Sequence, residues 1–223
     1  MTTRARGDMH GSVPHGNRID KQCTQLAAPC RPRSDPFMLG ERFDRALLLA
    51  SELHRTQVRK ESGVPYVSHV LAVAALALEH GADEDQAIAA LLHDAVEDQG
   101  GLPTAERIRA QFGARVADLV LALSDAVVAP KPPWRQRKER YLAHLAHAAA
   151  DVLLVSACDK VHNARCIVAD HAAVGPSLWQ RFTGGRDGTL WYYRELAAIF
   201  RARGPARLAA ELSELTDRMQ ALA

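Results

Sequence analysis

The chain has 223 residues, 48% of them hydrophobic and only 5% aromatic, with a formal net charge of +2. That length gives one ordinary domain a substantial core, or at most two small ones, and so few aromatics argue against a sandwich or barrel. A balance this close to neutral excludes a strongly basic nucleic-acid binder on bulk charge, and no run of about 18 apolar, uncharged residues reads as a membrane span.

Residues 1–36 are rich in Gly, Pro, Ser, Thr and Arg and carry no apolar periodicity, which predicts a disordered extension with His10 and His15 solvated. The segment has no apolar stretch of the kind a secretory signal needs. The chain therefore reads as cytoplasmic, with Cys23, Cys30, Cys158 and Cys166 as reduced thiols.

From Phe37 helical spacing takes over, and 37–223 reads as one domain. Phe43, Leu47, Ala50, Leu53 and Val58 predict a helix over 41–58, followed by a loop at Gly63 and Pro65. A second helix over 70–80 stops at Gly81. Asp83 caps a third over 84–98, which ends at Gly100-Gly101. A fourth runs from Pro103-Thr104 to Phe112 and a fifth over 114–124. The Pro-rich linker AVVAPKPPW precedes a sixth helix over 134–148, and a long seventh spans 151–170. Gly175-Pro176 and Gly184-Gly185 punctuate the stretch between it and two last helices, over 187–203 and 205–222. No strand pattern appears. The fold class is all-α, a bundle of about eight to ten helices.

Two of these helices carry an anomaly. Ile88, Leu91, Leu92, Ala95 and Val96 cover most of the third, so it should be nearly buried, yet His93, Asp94, Glu97 and Asp98 fall in the single word HDAVED. Buried carboxylates pair, neutralise or bind a metal. Glu97 follows Asp94 by three residues and His93 by four, and Asp98 follows Asp94 by four, which puts them on one face. The seventh helix, DVLLVSACDKVHNARCIV, is apolar apart from Asp159, Lys160, His162, Asn163 and Arg165, with Asn163 one turn beyond Asp159. On residue type alone, either cluster could be a network of structural ion pairs or a catalytic centre.

The surrounding words are more specific. HRTQVRKESGVPYVSHVLAVA, AALLHDAVED and DKVHNAR resemble, in order and spacing, the hydrolase domain of RelA/SpoT-type proteins, a branch of the HD-domain metal-dependent phosphohydrolases. They resemble best the stand-alone small alarmone hydrolases, the group that includes the metazoan SpoT homologues. The resemblance runs from about Arg42 to Tyr193 and implies an HD-type single-domain bundle with its metal site between central helices. It further implies that His69, His93, Asp94 and Asp159 bind one divalent cation, most often Mn²⁺. Glu97 and Asp98 match the acidic pair that orients and deprotonates water. Arg59 and Lys60 match a basic pair near the nucleotide, and Asn163 a residue beside the ribose or base. The implied activity is a guanosine-3′,5′-bis(diphosphate) 3′-pyrophosphohydrolase. It releases pyrophosphate from guanosine tetraphosphate or pentaphosphate and leaves GDP or GTP.

A polyanionic substrate asks for cations along its approach, and Lys160 and Arg165 are candidates. The run Arg135, Arg137, Lys138 and Arg140 reads either as such a lining or as a solvated helix face. Tyr66 could stack on a base or pack in the core, and His162 reads as structural or as a partner behind a ligand. Glu97 and Asp98 have a bland alternative, ion pairs with Arg59 or Lys60. Gln99, Cys158 and Cys166 depart from the family text around the expected base pocket and leave base specificity open. Competing functions are another nucleotide phosphohydrolase, such as one removing the 2′-phosphate of NADPH, and a catalytically silent nucleotide sensor. The expected partner is the small-molecule nucleotide, with neither nucleic acid nor membrane, and the sequence leaves a homo-oligomer open.

Overall fold

The structure is a computed structural model that describes residues 39–59, 62–127 and 130–222; the extension expected at 1–36 lies outside the described residues. Among the described residues ten α-helices succeed one another: α1 Glu41–Leu53, α2 Val67–Glu79, α3 Glu84–Leu92, α4 Ala95–Asp98, α5 Leu102–Phe112, α6 Ala114–Leu123, α7 Trp134–Leu145, α8 Ala150–Val174, α9 Gly185–Arg203 and α10 Ala206–Ala221. A 3₁₀ turn, Gly175–Arg181, joins α8 to α9. Among the same residues the extended pairing is one antiparallel bridge, Val58 with Pro65.

α3 is the axis of the bundle. Its start is fixed by a capping box: Asp83 accepts from the Gln86 amide at 2.9 Å, and Gln86 accepts from the Asp83 amide at 2.8 Å. Ala87 through Leu92 are then fully buried, each Leu or Ile giving about 1.5–3 kcal/mol. α1, α2, α6 and α8 pack around it, and α9 and α10 close the far side of α8. The two helices that carry the anomalous polar residues are thus the most enclosed ones, and α2 packs against both.

The third helix is not continuous, contrary to the expectation of one element over 84–98. The α ladder ends at Leu92, His93 and Asp94 form a turn, and α4 carries Ala95–Asp98. Asp94 sits at φ −95°, ψ −4°, the bridge region that interrupts a helix without reversing the chain. No Gly or Pro marks the break; the side-chain bonds of the two turn residues hold it. α1 stops at Leu53 instead of 58, because the chain turns there to send Gln57 and Arg59 towards the site. α8 runs four residues further than expected, to Val174, where Gly175 at φ +67° ends it in a conformation only glycine takes readily.

Candidate active site

Three elements bring four ligand-type side chains to one point. His69 comes from the first turn of α2, His93 and Asp94 from the turn between α3 and α4, and Asp159 from the middle of α8. His69 Nε2 lies 3.3 Å from Asp159 Oδ1 and 3.6 Å from Asp94 Oδ2. His93 Nε2 lies 2.9 Å from Asp94 Oδ2 and 3.7 Å from Asp159 Oδ1. Donors arranged around one cation at about 2.1 Å stand roughly 3.0–3.4 Å apart, so the spacing is that of a coordination shell. His69, His93 and Asp159 are buried and form a group able to hold a metal ion. His93 Nε2, though close to Asp94, is not aligned with it and is a buried nitrogen without a hydrogen bond among the described residues. An orphaned ring nitrogen aimed between carboxylates fits a ligand whose metal would complete it.

Each of these side chains is also held by a further partner, as metal ligands usually are. His93 Nδ1 lies 2.9 Å from the Ala90 carbonyl, which only an Nδ1–H can satisfy. His69 Nδ1 lies 2.8 Å from His162 Nδ1. Tyr66 donates to Asp94 Oδ2 at 2.5 Å. Lys160 and Asn163 donate to the two oxygens of Asp159 at 2.6 and 2.5 Å. Burial opposes ionisation of Asp94 and Asp159, but His93 outweighs it at Asp94 and Lys160 at Asp159, so both stay below the usual carboxylate range. Burial likewise opposes a charge on His93, and the Asp94 carboxylate overrides it and raises its proton affinity. The cluster draws positive charge into its centre. Two imidazoles with two carboxylates suit Mn²⁺, Fe²⁺, Co²⁺ or Zn²⁺.

Glu97 and Asp98 lie on α4, one turn past the ligands, and face the same recess. Lys131 binds Glu97 at 2.9 Å and reaches Asp98 at 3.5 Å, and Arg137 lies 3.6 Å from Glu97. Gln57 donates to Asp98 at 2.9 Å and the Asp125 amide to Glu97 at 3.4 Å. Burial and then the Asp125 charge raise the Glu97 carboxyl above its usual range, with Lys131 opposing. The ion pairs weighed for Glu97 and Asp98 are therefore made with Lys131, not Arg59. Asp125 itself takes Arg137 on one oxygen and Lys138 on the other, the latter at 2.6 Å.

Beside the recess, of about 180 Å³, opens a cleft of about 370 Å³, within the ~300–1,000 Å³ usual for small-molecule sites. Arg59, Lys138, Lys160 and Asn163 line it near the ligands, and Trp134, Phe182 and Tyr193 line it further out. Arg59 Nη2 donates to Asn163 at 2.9 Å, while its Nη1 is buried without a hydrogen-bond partner among the described residues. Tyr192, at the junction of cleft and recess, has its hydroxyl buried and equally unpartnered among them.

The sequence expectations meet different fates here. His69, His93, Asp94 and Asp159 converge, with Glu97 and Asp98 beside them and Arg59, Lys160 and Asn163 along the cleft. Lys60 lies outside the described residues. Arg165, offered as a cation along the approach, binds Glu211 of α10 at 2.5 Å and is not among the residues that line the cleft. The basic run divides, since Arg137 and Lys138 turn inward onto Asp125, Arg135 lies over the Trp191 ring at 3.4 Å, and Arg140 is exposed. Tyr66 serves neither as a free stacking surface nor as mere packing, since it anchors Asp94. Gln57, Asp125 and Tyr192 are site residues that the sequence reading misses. The adjacent Arg137 and Lys138, both half-buried in the structure, are the available signal for Asp125, because partly desolvated cations require an anion. Cys158 is a buried thiol pushed up to about 12 by burial and then by Asp159. No helix among the described residues is long and apolar enough to cross a membrane.

Known proteins are similar to this chain in sequence and fold. A family profile described as the HD domain matches residues 46–190. A Xenopus tropicalis protein named guanosine-3′,5′-bis(diphosphate) 3′-pyrophosphohydrolase MESH1 is 37% identical over 130 residues, which is 55% of this chain and 70% of the frog protein. An Aquifex aeolicus protein named guanosine-3′,5′-bis(diphosphate) 3′-pyrophosphohydrolase is 36% identical over 130 residues, 57% of this chain but 18% of that longer one. Among solved structures, one described as a metazoan orthologue of SpoT that hydrolyses ppGpp superposes with a TM-score of 0.69 at 27% identity, covering 82% of this chain and 98% of that one.

Proposed function

The chain belongs to the HD domain family, and on that premise we propose that it is a metal-dependent hydrolase removing the 3′-pyrophosphate of guanosine tetraphosphate or pentaphosphate. The observation that carries this reading is the convergence of two imidazoles and two carboxylates at the floor of a cation-lined cleft, with an acidic pair one turn away. Its relatives named for this reaction support the choice of substrate.

His69, His93, Asp94 and Asp159 would hold one divalent cation, Mn²⁺ being the metal most of the resembling family uses. When bound there, such an ion polarises a phosphoryl oxygen and makes water more acidic. The remaining work falls to the chain's own groups. Lys160, Lys138 and the unpartnered Nη1 of Arg59 offset the charge of the two diphosphates and fix their position. Tyr192 offers a buried hydroxyl to a phosphate or ribose oxygen at the mouth of the recess. Glu97, made more basic by burial and Asp125, takes a proton from the attacking water. Asp98, held by Gln57, orients that water. The water oxygen bonds to the 3′ phosphorus, the bond from phosphorus to ribose O3′ breaks, O3′ takes up a proton to become the 3′-hydroxyl of GDP or GTP, and pyrophosphate is released. Trp134, Phe182 and Tyr193 form the wall on which the nucleoside rests.

The test is product analysis. Protein supplied with Mn²⁺ should convert guanosine tetraphosphate to GDP and pyrophosphate, and a chelator should stop it. Inorganic phosphate released one unit at a time, without pyrophosphate, would contradict this assignment.

A further inference from the structure

We propose that His162 is a positioning residue that fixes the tautomer of His69 through the contact between their Nδ1 atoms. The inference rests on the metal-dependent reading of the site and assigns a role that this reading does not include.

The two rings stand 4.9 Å apart between centroids, with 2.8 Å between the Nδ1 atoms, and His69 is 1% exposed. Two nitrogens at that distance share one proton, and it belongs to one of them. The other face of His69 decides which. Its Nε2 looks at Asp159 and Asp94, 3.3 and 3.6 Å away. Those carboxylates favour a proton on Nε2, and a proton there occupies the lone pair a cation needs. His162 is the competing acceptor. With the proton on Nε2 of its own ring, it offers a bare Nδ1 to His69 and draws the His69 proton to that side. Cys166 Sγ lies 3.9 Å from both nitrogens of the His162 ring, so this weak contact permits that tautomer without selecting it. His69 Nε2 is then left free to ligate.

Helix register makes the device compact. His162 follows Asp159 by three residues on α8, so one helix supplies a ligand and the partner of a ligand from α2. Every other candidate ligand also has an outer partner, but those are a backbone carbonyl, a phenol, an amine and an amide. Only the His69 partner could itself act in either tautomer, so only there does the choice of proton position depend on a second side chain.

The test is Mn²⁺ binding by calorimetry to wild type, His162→Leu and His162→Asn. Asn places an amide oxygen where Nδ1 stood, whereas Leu keeps bulk and removes the acceptor. His162→Leu should bind Mn²⁺ about 10–100-fold more weakly, the usual worth of a ligand's outer partner, while His162→Asn stays within about threefold of wild type. Turnover of His162→Leu should recover as Mn²⁺ is raised to saturation, since the chemistry itself is untouched. Should His162→Leu not fold, His162→Gln, whose amide stands in for Nε2 and not Nδ1, takes its place with the same expectation. Wild-type affinity in the variants lacking the acceptor, or equal losses in Asn and in Leu or Gln, would overturn the proposal and leave the metal site standing. Wild-type protein that binds no Mn²⁺ would overturn both.

Discussion

Glu97 is a carboxyl in surroundings unlike those of a surface acid, since burial and the Asp125 charge both raise its proton affinity while Lys131 holds it in place. Replacing it with Gln, or Asp98 with Asn, keeps size and polar contacts but removes a base. Each variant should retain metal and lose about 10²–10⁴-fold in kcat. Near-normal kcat with a lowered melting temperature would instead make the pair structural. Asp125 gives a second prediction. Burial opposes its charge, but Lys138 and Arg137 hold its pKa at about 2. The carboxyl is more acidic folded than unfolded, so its stabilisation is complete above the ordinary carboxylate pKa and fades as pH falls towards about 2. The gap in melting temperature between wild type and Asp125→Asn should therefore narrow over that acid range; a gap independent of pH would contradict it. The spacing of Glu97 and Asp98 behind His93 is legible in the sequence because it is local. Asp125 is not, since nothing local ties it to a carboxylate 28 residues earlier. Arg165 is legible by helix geometry: six residues past Asp159 at about 100° each puts it some 240° around the helix, while Asn163 lies only about 40° away.

At the scale of elements, periodicity locates the helices and mistakes one of them. The run from Ile88 to Val96 is apolar on either side of His93 and Asp94, so no change of pattern betrays the turn there. The side chains of the two turn residues are held there by other contacts, Asp94 by the Tyr66 hydroxyl from α2's start and His93 Nδ1 by the Ala90 carbonyl. The turn aims two adjacent side chains at one point, which the roughly 100° between neighbours on a regular helix disfavours. The element needs rigid support, and α3 gives it. Leu91 is fully buried there, so Leu91→Ala should cost about 2–5 kcal/mol. Asp83→Ala, which removes the cap of the same helix, should cost about 0.5–2 kcal/mol. Denaturant unfolding checks both; a Leu91→Ala loss smaller than that of Asp83→Ala would place the core elsewhere.

The whole molecule is a bundle whose most enclosed helices carry its most polar residues, an arrangement stable only if the buried charge is neutralised. Lys160 neutralises part of it, and on the proposed reading a cation held by His69, His93, Asp94 and Asp159 would take the rest, which predicts that metal binding and folding are linked. An ion present at about 100 times its Kd adds roughly 2.7 kcal/mol of stability, so chelation should lower the melting temperature, and His69→Ala should abolish that sensitivity. Residues 1–36 are rich in Gly, Pro, Ser, Thr and Arg and carry no apolar periodicity, so their removal is expected to leave turnover and melting temperature unchanged, and a large drop in either would give that segment a structural role. Incubating the protein with Mn²⁺ and guanosine tetraphosphate and resolving the products tests the proposed reaction itself. GDP and pyrophosphate in equal amounts, absent in Asp159→Ala, are the predicted result. An intact nucleotide, or products that Asp159→Ala forms just as fast, would contradict it.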